Sequence, residues 1–551
     1  MNDFVEMLKK ETDQSILSTT ENGALGYKTS GKALVDLNFA LSSMRHWSDE
    51  DIVEKWIPAY FENEELAIRW LFYIRDVRGG LGERRVFRVI LKYMANNHPA
   101  VIANIITSRT SFTLQNGPLV PFFGRWDDLL ALFDTPLEGF AISCIITQLN
   151  KDIQNAAAMQ PISVCVKWVP SINAGLSSRR KANKIRKAMH LKPTEYQKML
   201  SGLRSYIDVT ERKTKPGRWG EIKYPNVPSK ANLRYKHAFL KHDHDRRVQY
   251  LESVSRGEAK INASTVYPYE IYYDLRSNFS YDYSMEKDHN ITVQMETMWK
   301  ALPDVVQGQD MQTLVVCDSS GSMDCKIGNS RVRALDVSES MAVYFSERMS
   351  GPFANSFITF SANPRLVQFK PEMTLLDKMK VLDFYAEAAN TNIYRVFQLI
   401  LETAVNNKLT QEDLPKRILI ISDMEFDYAS DMRYDANENL DSKVQGSDQT
   451  LFEYITDCYE LHGYHLPKLV FWNVNSRSMT IPVCTNKYGF ALVSGFSPNI
   501  VKMVMSDKLD PYEILKDQLM DARYAVVADA MKGGFVDKPG CNFDCNNCNQ
   551  S

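Results

Sequence analysis

Two rhythms of apolar and polar positions divide this chain. From about residue 31 to residue 208 the apolar positions recur at helical spacing. In "NEELAIRWLFYIRDV", Leu66, Trp70, Tyr73, Ile74 and Val77 fall at i, i+4, i+7, i+8 and i+11, one face of a helix. "ERRVFRVILKYM" repeats the spacing with Val86, Phe87, Ile90, Leu91 and Met94. Ser48 with Asp51, and Thr194 with Gln197, have the spacing of helix N-terminal capping pairs. Short helices joined by Gly- or Pro-bearing turns predict an α-helical repeat over 31–305, a HEAT-like solenoid either open or closed into a ring. No strict sequence repeat accompanies it. Residues 1–30, with the turn-forming "STTENGALGYKTSGK", are expected to be flexible. Residues 209–283 interleave Tyr, Pro and basic residues and are less regular, and one helix is expected over about 284–302.

From 311 the rhythm becomes strand–helix alternation. Strands are predicted at 313–318, 356–361, 417–423, 468–475 and 490–495, with helices at 332–349 (amphipathic), 391–405, 451–462 and 498–505. That alternation predicts a mostly parallel, Rossmann-like α/β domain over 311–533 with helices on both faces of the sheet. A polar, cysteine-bearing tail, 534–551, follows.

The first predicted strand of that domain ends in "LVVCDSSGSMD", residues 314–324. Asp318, Ser320 and Ser322 place a carboxylate and two hydroxyls at alternate positions on one tight loop. They lie at the carboxyl end of a strand, where open α/β sheets put their ligands. Such oxygens suit a small hard cation, Mg²⁺ or Mn²⁺. Two later strand ends offer more: Thr391 in the turn before a helix, with Asn390 as an alternative at that position, and Asp423 closing "RILIISD". No Ser/His/Asp order, P-loop or HExxH accompanies them, so an enzyme is not expected.

Composition adds a charge asymmetry. The 551 residues carry a net charge of −2, yet residues 179–247 hold twenty Lys/Arg against six Asp/Glu. This excess of fourteen positive charges marks an electrostatic surface for a polyanion. Arg179, Arg180, Lys181, Lys184 and Arg186 form one candidate RNA-binding cluster; Arg212, Lys213, Lys215 and Arg218 form another, with Trp219 as a stacking residue. Tyr206, Tyr224, Tyr235 and Phe239 are further stacking candidates. No apolar run has bilayer length, and "MNDFVEMLKKETDQ" is too polar for a secretory signal. Six scattered cysteines suit reduced thiols, so a cytoplasmic location is expected. Cys541, Cys545 and Cys548 crowd the tail, either as a small metal site or as a thiol-bearing end.

Two further motifs have alternative readings. "YIRDVRGGLGERRVFR" sets three glycines among Arg75, Arg78, Arg84 and Arg85, either as an anion-binding helix start or as a connection between packed helices. His237, His242 and His244 in "KHAFLKHDHD" are either metal ligands or surface and phosphate-contacting side chains.

The set Asp318, Ser320, Ser322, Thr391 and Asp423 resembles the metal-ion-dependent adhesion site (MIDAS) of von Willebrand factor A domains. That site leaves one coordination position for a partner's oxygen. Through "FYIRDVRGGLGERRVFR", "PFFGRWDDLL", "RWGEIKYPNVPSKANLRYKHAFLKHD", "GEAKINASTVYPYEI" and "ISDMEFD", the chain resembles an uncharacterised family that fuses a helical N-terminal region to a von Willebrand A-like domain. Its architecture is similar to that of the Ro autoantigen, in which a helical-repeat (TROVE) ring joined to a von Willebrand A domain binds RNA. The resemblance implies a non-catalytic RNA-binding protein with a divalent-metal site. The alternative is a protein-interaction scaffold whose metal docks a partner's carboxylate.

Overall fold

The computed structural model describes residues 17–108, 118–207, 209–214, 216–307, 312–328, 330–360, 363–385, 393–426, 450–484 and 488–532. Thr391, Asn390, Lys215, Cys541, Cys545 and Cys548 lie outside the described residues.

The apolar runs of the second rhythm form strands where the pattern places them. β1 (Leu17–Thr19) and β2 (Leu25–Tyr27) make an antiparallel hairpin. A six-stranded sheet follows from β3 (Thr313–Asp318), β4 (Ser356–Phe360), β5 (Leu366–Gln368), β6 (Arg417–Ser422), β7 (Lys468–Asn473) and β8 (Phe490–Ser494). Its order is β5-β4-β3-β6-β7-β8, with every pairing parallel except β4–β5. β3, β4, β6, β7 and β8 are buried along their whole length, which their near-continuous Val/Ile/Leu/Phe sequences require of strands covered on both faces. From β3 the chain proceeds outward to β4 on one side and later returns to β6 on the other. The crevice between the carboxyl ends of β3 and β6 is therefore the topological switch point.

By compactness the chain divides into two units, one spanning Met1–Ala67, Asp76–Val86 and Asp208–Leu519, the other Ile68–Arg75, Phe87–Ile207 and Met520–Ser551. The division does not follow the expected change-over at 305–311. The first unit joins the sheet to helical segments from both earlier stretches. Helix Ala334–Arg348, expected to be amphipathic, is instead buried over almost all of Ala334–Ser346. It packs on β3 on one side and on helix Pro268–Ser277 on the other. Residues 17–30, expected to be flexible, are ordered as well: Tyr27 and Ile481 exchange backbone hydrogen bonds of 2.8 Å, and the hairpin is fixed by them.

The named elements of the second unit are all helices among its described residues. Phe72, Phe87, Phe123 and Tyr524 form its aromatic centre, with ring centroids 5.5–5.7 Å apart. Tyr524 belongs to helix Ala522–Met531, so this helix packs with the second unit and not with the sheet. In the same unit Asp128, fully buried, accepts from Arg75 Nε at 2.8 Å, Arg88 Nε at 2.7 Å and the Arg125 backbone N–H at 2.8 Å. Ser48 and Asp51 form the expected reciprocal cap. Thr194 does not cap, because Pro193 already opens that helix and Glu195 accepts from the Lys192 backbone N–H at 2.7 Å.

Candidate functional site

The carboxyl ends of β3 and β6 bring four of the five expected oxygen ligands into one cluster. Asp318, the last residue of β3, is buried. Its Oδ1 accepts the Ser320 backbone N–H at 2.9 Å, and its Oδ2 accepts the Ser422 hydroxyl at 2.5 Å. Ser320 Oγ and Ser322 Oγ lie 3.0 Å apart. Ser320 is buried, whereas Ser322 reaches partway to the surface. Asp423, just past β6, is buried and hydrogen-bonded by Ser322. Immediately after it the buried Met424 takes φ 64°, a left-handed conformation that costs a side-chain-bearing residue about 1–2 kcal/mol. Strain of this kind concentrates where a fold fixes a functional geometry.

Electrostatics follow from burial. Removal from water pushes the Asp318 carboxyl up to about 7, and the neighbouring Asp423 charge adds to the effect. Asp423 is likewise raised by burial, against the opposing pull of Arg477. Two buried carboxylates with two hydroxyls between them make an oxygen donor set whose mutual repulsion a cation relieves, so the residues present fit a small divalent ion. Among the described residues no group of three or more His, Cys, Asp or Glu side chains is gathered for a metal. The donors here are two carboxylates and hydroxyls, and the three histidines do not form a cluster of that kind.

Three residues around the cluster are not among the expected ligands. Ser422 holds Asp318 from the neighbouring strand. Arg477 Nη1 lies 3.2 Å from Asp423 Oδ2. Glu425, buried, accepts backbone N–H groups from Glu21 at 2.8 Å, Arg477 at 2.7 Å and Ser478 at 2.8 Å. Ser422 and Glu425 flank Asp423 in "ISDMEF" and carry a readable signal there, while Arg477 carries none because the fold alone brings it to the site.

The glycine-rich motif is resolved by its own carboxylate. Glu83 accepts the Arg84 and Arg85 backbone N–H groups at 3.1 and 3.2 Å and pairs with Arg45 at 2.8 Å. The helix start that an external anion would use is thus capped from within, as a connection between packed helices requires. Gly82, at φ 68°, has no room for a side chain, because a Cβ there would lie 1.9 Å from the Tyr267 hydroxyl.

The basic segment divides between the two units at Ile207/Asp208. In the second unit, helix Leu176–Ala188 carries six cations and no acid, burying only Ala182 and Ile185. Several of these cations are already engaged. Lys181 Nζ donates to the Leu130 carbonyl at 2.8 Å, Lys184 pairs with Asp134 and Glu138 at 2.5 and 2.6 Å, and Arg186 Nη1 donates to the Leu191 carbonyl at 2.6 Å. Arg179, Arg180 and Lys187 are exposed. In the first unit Arg212 and Lys213 lie on the short helix Thr210–Lys213, and Arg218 pairs with Glu221 at 2.6 Å. Trp219 is stacked on His242 at 4.6 Å and meets Phe239 in a T-shaped arrangement. Phe239 and Tyr224 are core residues, not stacking surfaces. Arg247 is buried between the rings of Tyr224, Phe239 and Tyr250.

Comparison with known proteins finds family likeness in both halves of the chain. Residues 20–144 and 173–310 match the family described as domain of unknown function DUF2828, and residues 312–528 match that described as domain of unknown function DUF7788. An uncharacterized protein of Acanthamoeba polyphaga mimivirus is 28% identical over 535 residues, covering 91% of this chain and 86% of that one. The crystal structure of the Deinococcus radiodurans RO (RSR) protein aligns over 91% of both chains at 12% identity with a TM-score of 0.32, too loose an overlay to argue from. Among the described residues no helix is long and apolar enough to cross a membrane.

Proposed function

We propose that this chain is a non-catalytic RNA-binding protein of Ro-like architecture, a helical repeat followed by a von Willebrand A-like domain, that works in the cytoplasm and carries a divalent-cation site. The observation that carries the RNA reading is helix Leu176–Ala188, whose six cations face no acid on their own helix. Its exposed members, Arg179, Arg180 and Lys187, are the phosphate contacts, and affinity drawn from them is salt-dependent. Lys181, Lys184 and Arg186 support the fold through the bonds described above. Mg²⁺, or Mn²⁺, is held by Asp318, Ser320, Ser322 and Asp423, with Thr391 completing the set. The cation supplies an open coordination position for an oxygen from a bound partner.

Gel-shift titration of structured and single-stranded RNA against wild type and Arg180→Glu/Lys187→Glu is the test. Wild-type affinity should fall by about 0.7 log unit per log unit of salt for each single-strand phosphate contact. The double variant should bind several-fold more weakly across unrelated sequences, since phosphate contacts do not specify sequence. Absence of wild-type binding, or a variant that binds equally, refutes the RNA reading. The cation reading is tested separately by calorimetry with Mg²⁺ on wild type and Asp318→Ala, where only wild type should bind.

The part-exposed Ser322 beside the buried carboxylates favours a second reading, a scaffold that docks a partner protein's carboxylate on the cation. It predicts little RNA affinity at physiological salt and a partner lost with Asp318→Ala.

A further inference from the structure

Among the described residues Arg477 is the cation that reaches the carboxylates of this site, and its position is built rather than incidental. Glu425 fixes the backbone that carries it, accepting the N–H groups of Arg477 and Ser478 and the Ser476 hydroxyl, the last at 3.2 Å. Asn475 ties the same loop to the loop after Ser322, donating to Cys325 Sγ at 3.0 Å. From this platform the guanidinium spans two acids: Nη1 lies 3.2 Å from Asp423 Oδ2, and Nε lies 2.6 Å from Glu21 Oε2, on the turn between β1 and β2. Glu21 is itself held, its backbone N–H donating to Glu425 Oε2 at 2.8 Å. The side chain is about one-third exposed, so its charge is only partly screened.

We propose that Arg477 is a built-in counter-cation of the Asp318/Asp423 pair, held by Glu21 and Glu425, against whose charge a divalent ion must bind. This rests on the cation reading above. Asp318 and Asp423 bring two negative charges when ionised, Glu21 and Glu425 stand beside them, and Arg477 returns one charge, so a divalent ion enters a set one unit less negative than it would be without the guanidinium. The protein thereby lowers its own cation affinity and keeps the buried carboxylates compensated when no ion is bound. The β1–β2 turn and the metal site are coupled through the same guanidinium.

The experiment is Mg²⁺ calorimetry at pH 8 and fixed ionic strength on full-length wild type, Arg477→Met, Arg477→Gln and Arg477→Lys, with circular dichroism to establish that each is folded. The two neutral variants should bind Mg²⁺ about tenfold or more tightly than wild type, as loss of a like charge at contact range requires. Arg477→Lys, which keeps the charge, should stay within about threefold of wild type on the same ground. If one neutral variant fails to fold, the other carries the comparison. Neutral variants that bind equally or more weakly than a binding wild type overturn this inference and leave the cation reading standing. So does Arg477→Lys if it gains as much as Arg477→Met. Absence of Mg²⁺ binding in every protein overturns both.

Discussion

Glu339 offers a test of how the first unit handles buried charge. It lies on helix Ala334–Arg348 and is fully buried. Its Oε2 accepts from the Tyr272 hydroxyl at 3.0 Å and from Arg276 Nη2 at 2.7 Å, while its Oε1 has no hydrogen-bond partner. The same guanidinium also serves Asp336 at 3.2 Å and Asp383 at 2.8 Å, so three carboxylates crowd one arginine. Burial pushes the Glu339 carboxyl up to about 7 against the opposing pull of Arg276, and Asp383 and Asp336 add repulsion. An ordinary glutamate titrates near ~4.3, so the folded state holds this proton over a range in which the unfolded chain has lost it. Stability from this group is fully present below about pH 4, declines as pH rises to about 7, and is level above that. At 1.36 kcal/mol per pH unit the whole loss amounts to about 4 kcal/mol, of which about 3 kcal/mol falls above pH 4.5. Glu339→Gln removes the titration while keeping the shape. Urea unfolding of both proteins between pH 4.5 and 8, in the presence of a chelator, isolates the group as a difference. The variant should gain on wild type by about 3 kcal/mol from the acid to the alkaline end. A difference that stays constant with pH, or that moves against the variant, refutes the reasoning.

Two further variants probe the motifs of the N-terminal half. Asp128→Ala strands the buried Arg75 guanidinium, only 2% exposed, and should cost about 3–5 kcal/mol in urea unfolding; a loss below about 1 kcal/mol would show that the pair is dispensable. Gly82→Ala meets both a left-handed backbone and the Tyr267 hydroxyl, which donates to the Leu81 carbonyl at 3.2 Å. It should cost about 2–3 kcal/mol, falling to about 1–2 kcal/mol in a Tyr267→Phe background, where the backbone strain and a 3.1 Å approach to the ring Cζ remain. Equal cost in both backgrounds would exclude the collision.

What local pattern determines is legible in the amino-acid sequence itself. β3, β6, β7 and β8 begin and end within two residues of their predicted spans, because a strand buried on both faces must be continuously apolar. Asp318, Ser320, Ser322 and Asp423 are legible for a related reason: polar residues directly after such strands can only lie at the sheet's edge, and in a parallel sheet those edges meet. The same logic points to Thr391, which lies outside the described residues. Contacts distant in sequence cannot be read this way. The hairpin of residues 17–27 has the pattern of a flexible turn-rich leader because its stabilising partners, Ile481, Phe426 and Glu425, stand some four hundred residues away. Helix Ala334–Arg348 has an amphipathic pattern because its polar face carries Asp336 and Glu339, yet Arg276 meets that face and allows it to be buried. The basic stretch 179–247 counts as a single surface in one dimension. Only the fold distributes it over two units, commits Lys181, Lys184 and Arg186 to internal partners, and places Arg247 in an aromatic box, because charge is additive along a sequence while its solvation depends on what packs around it.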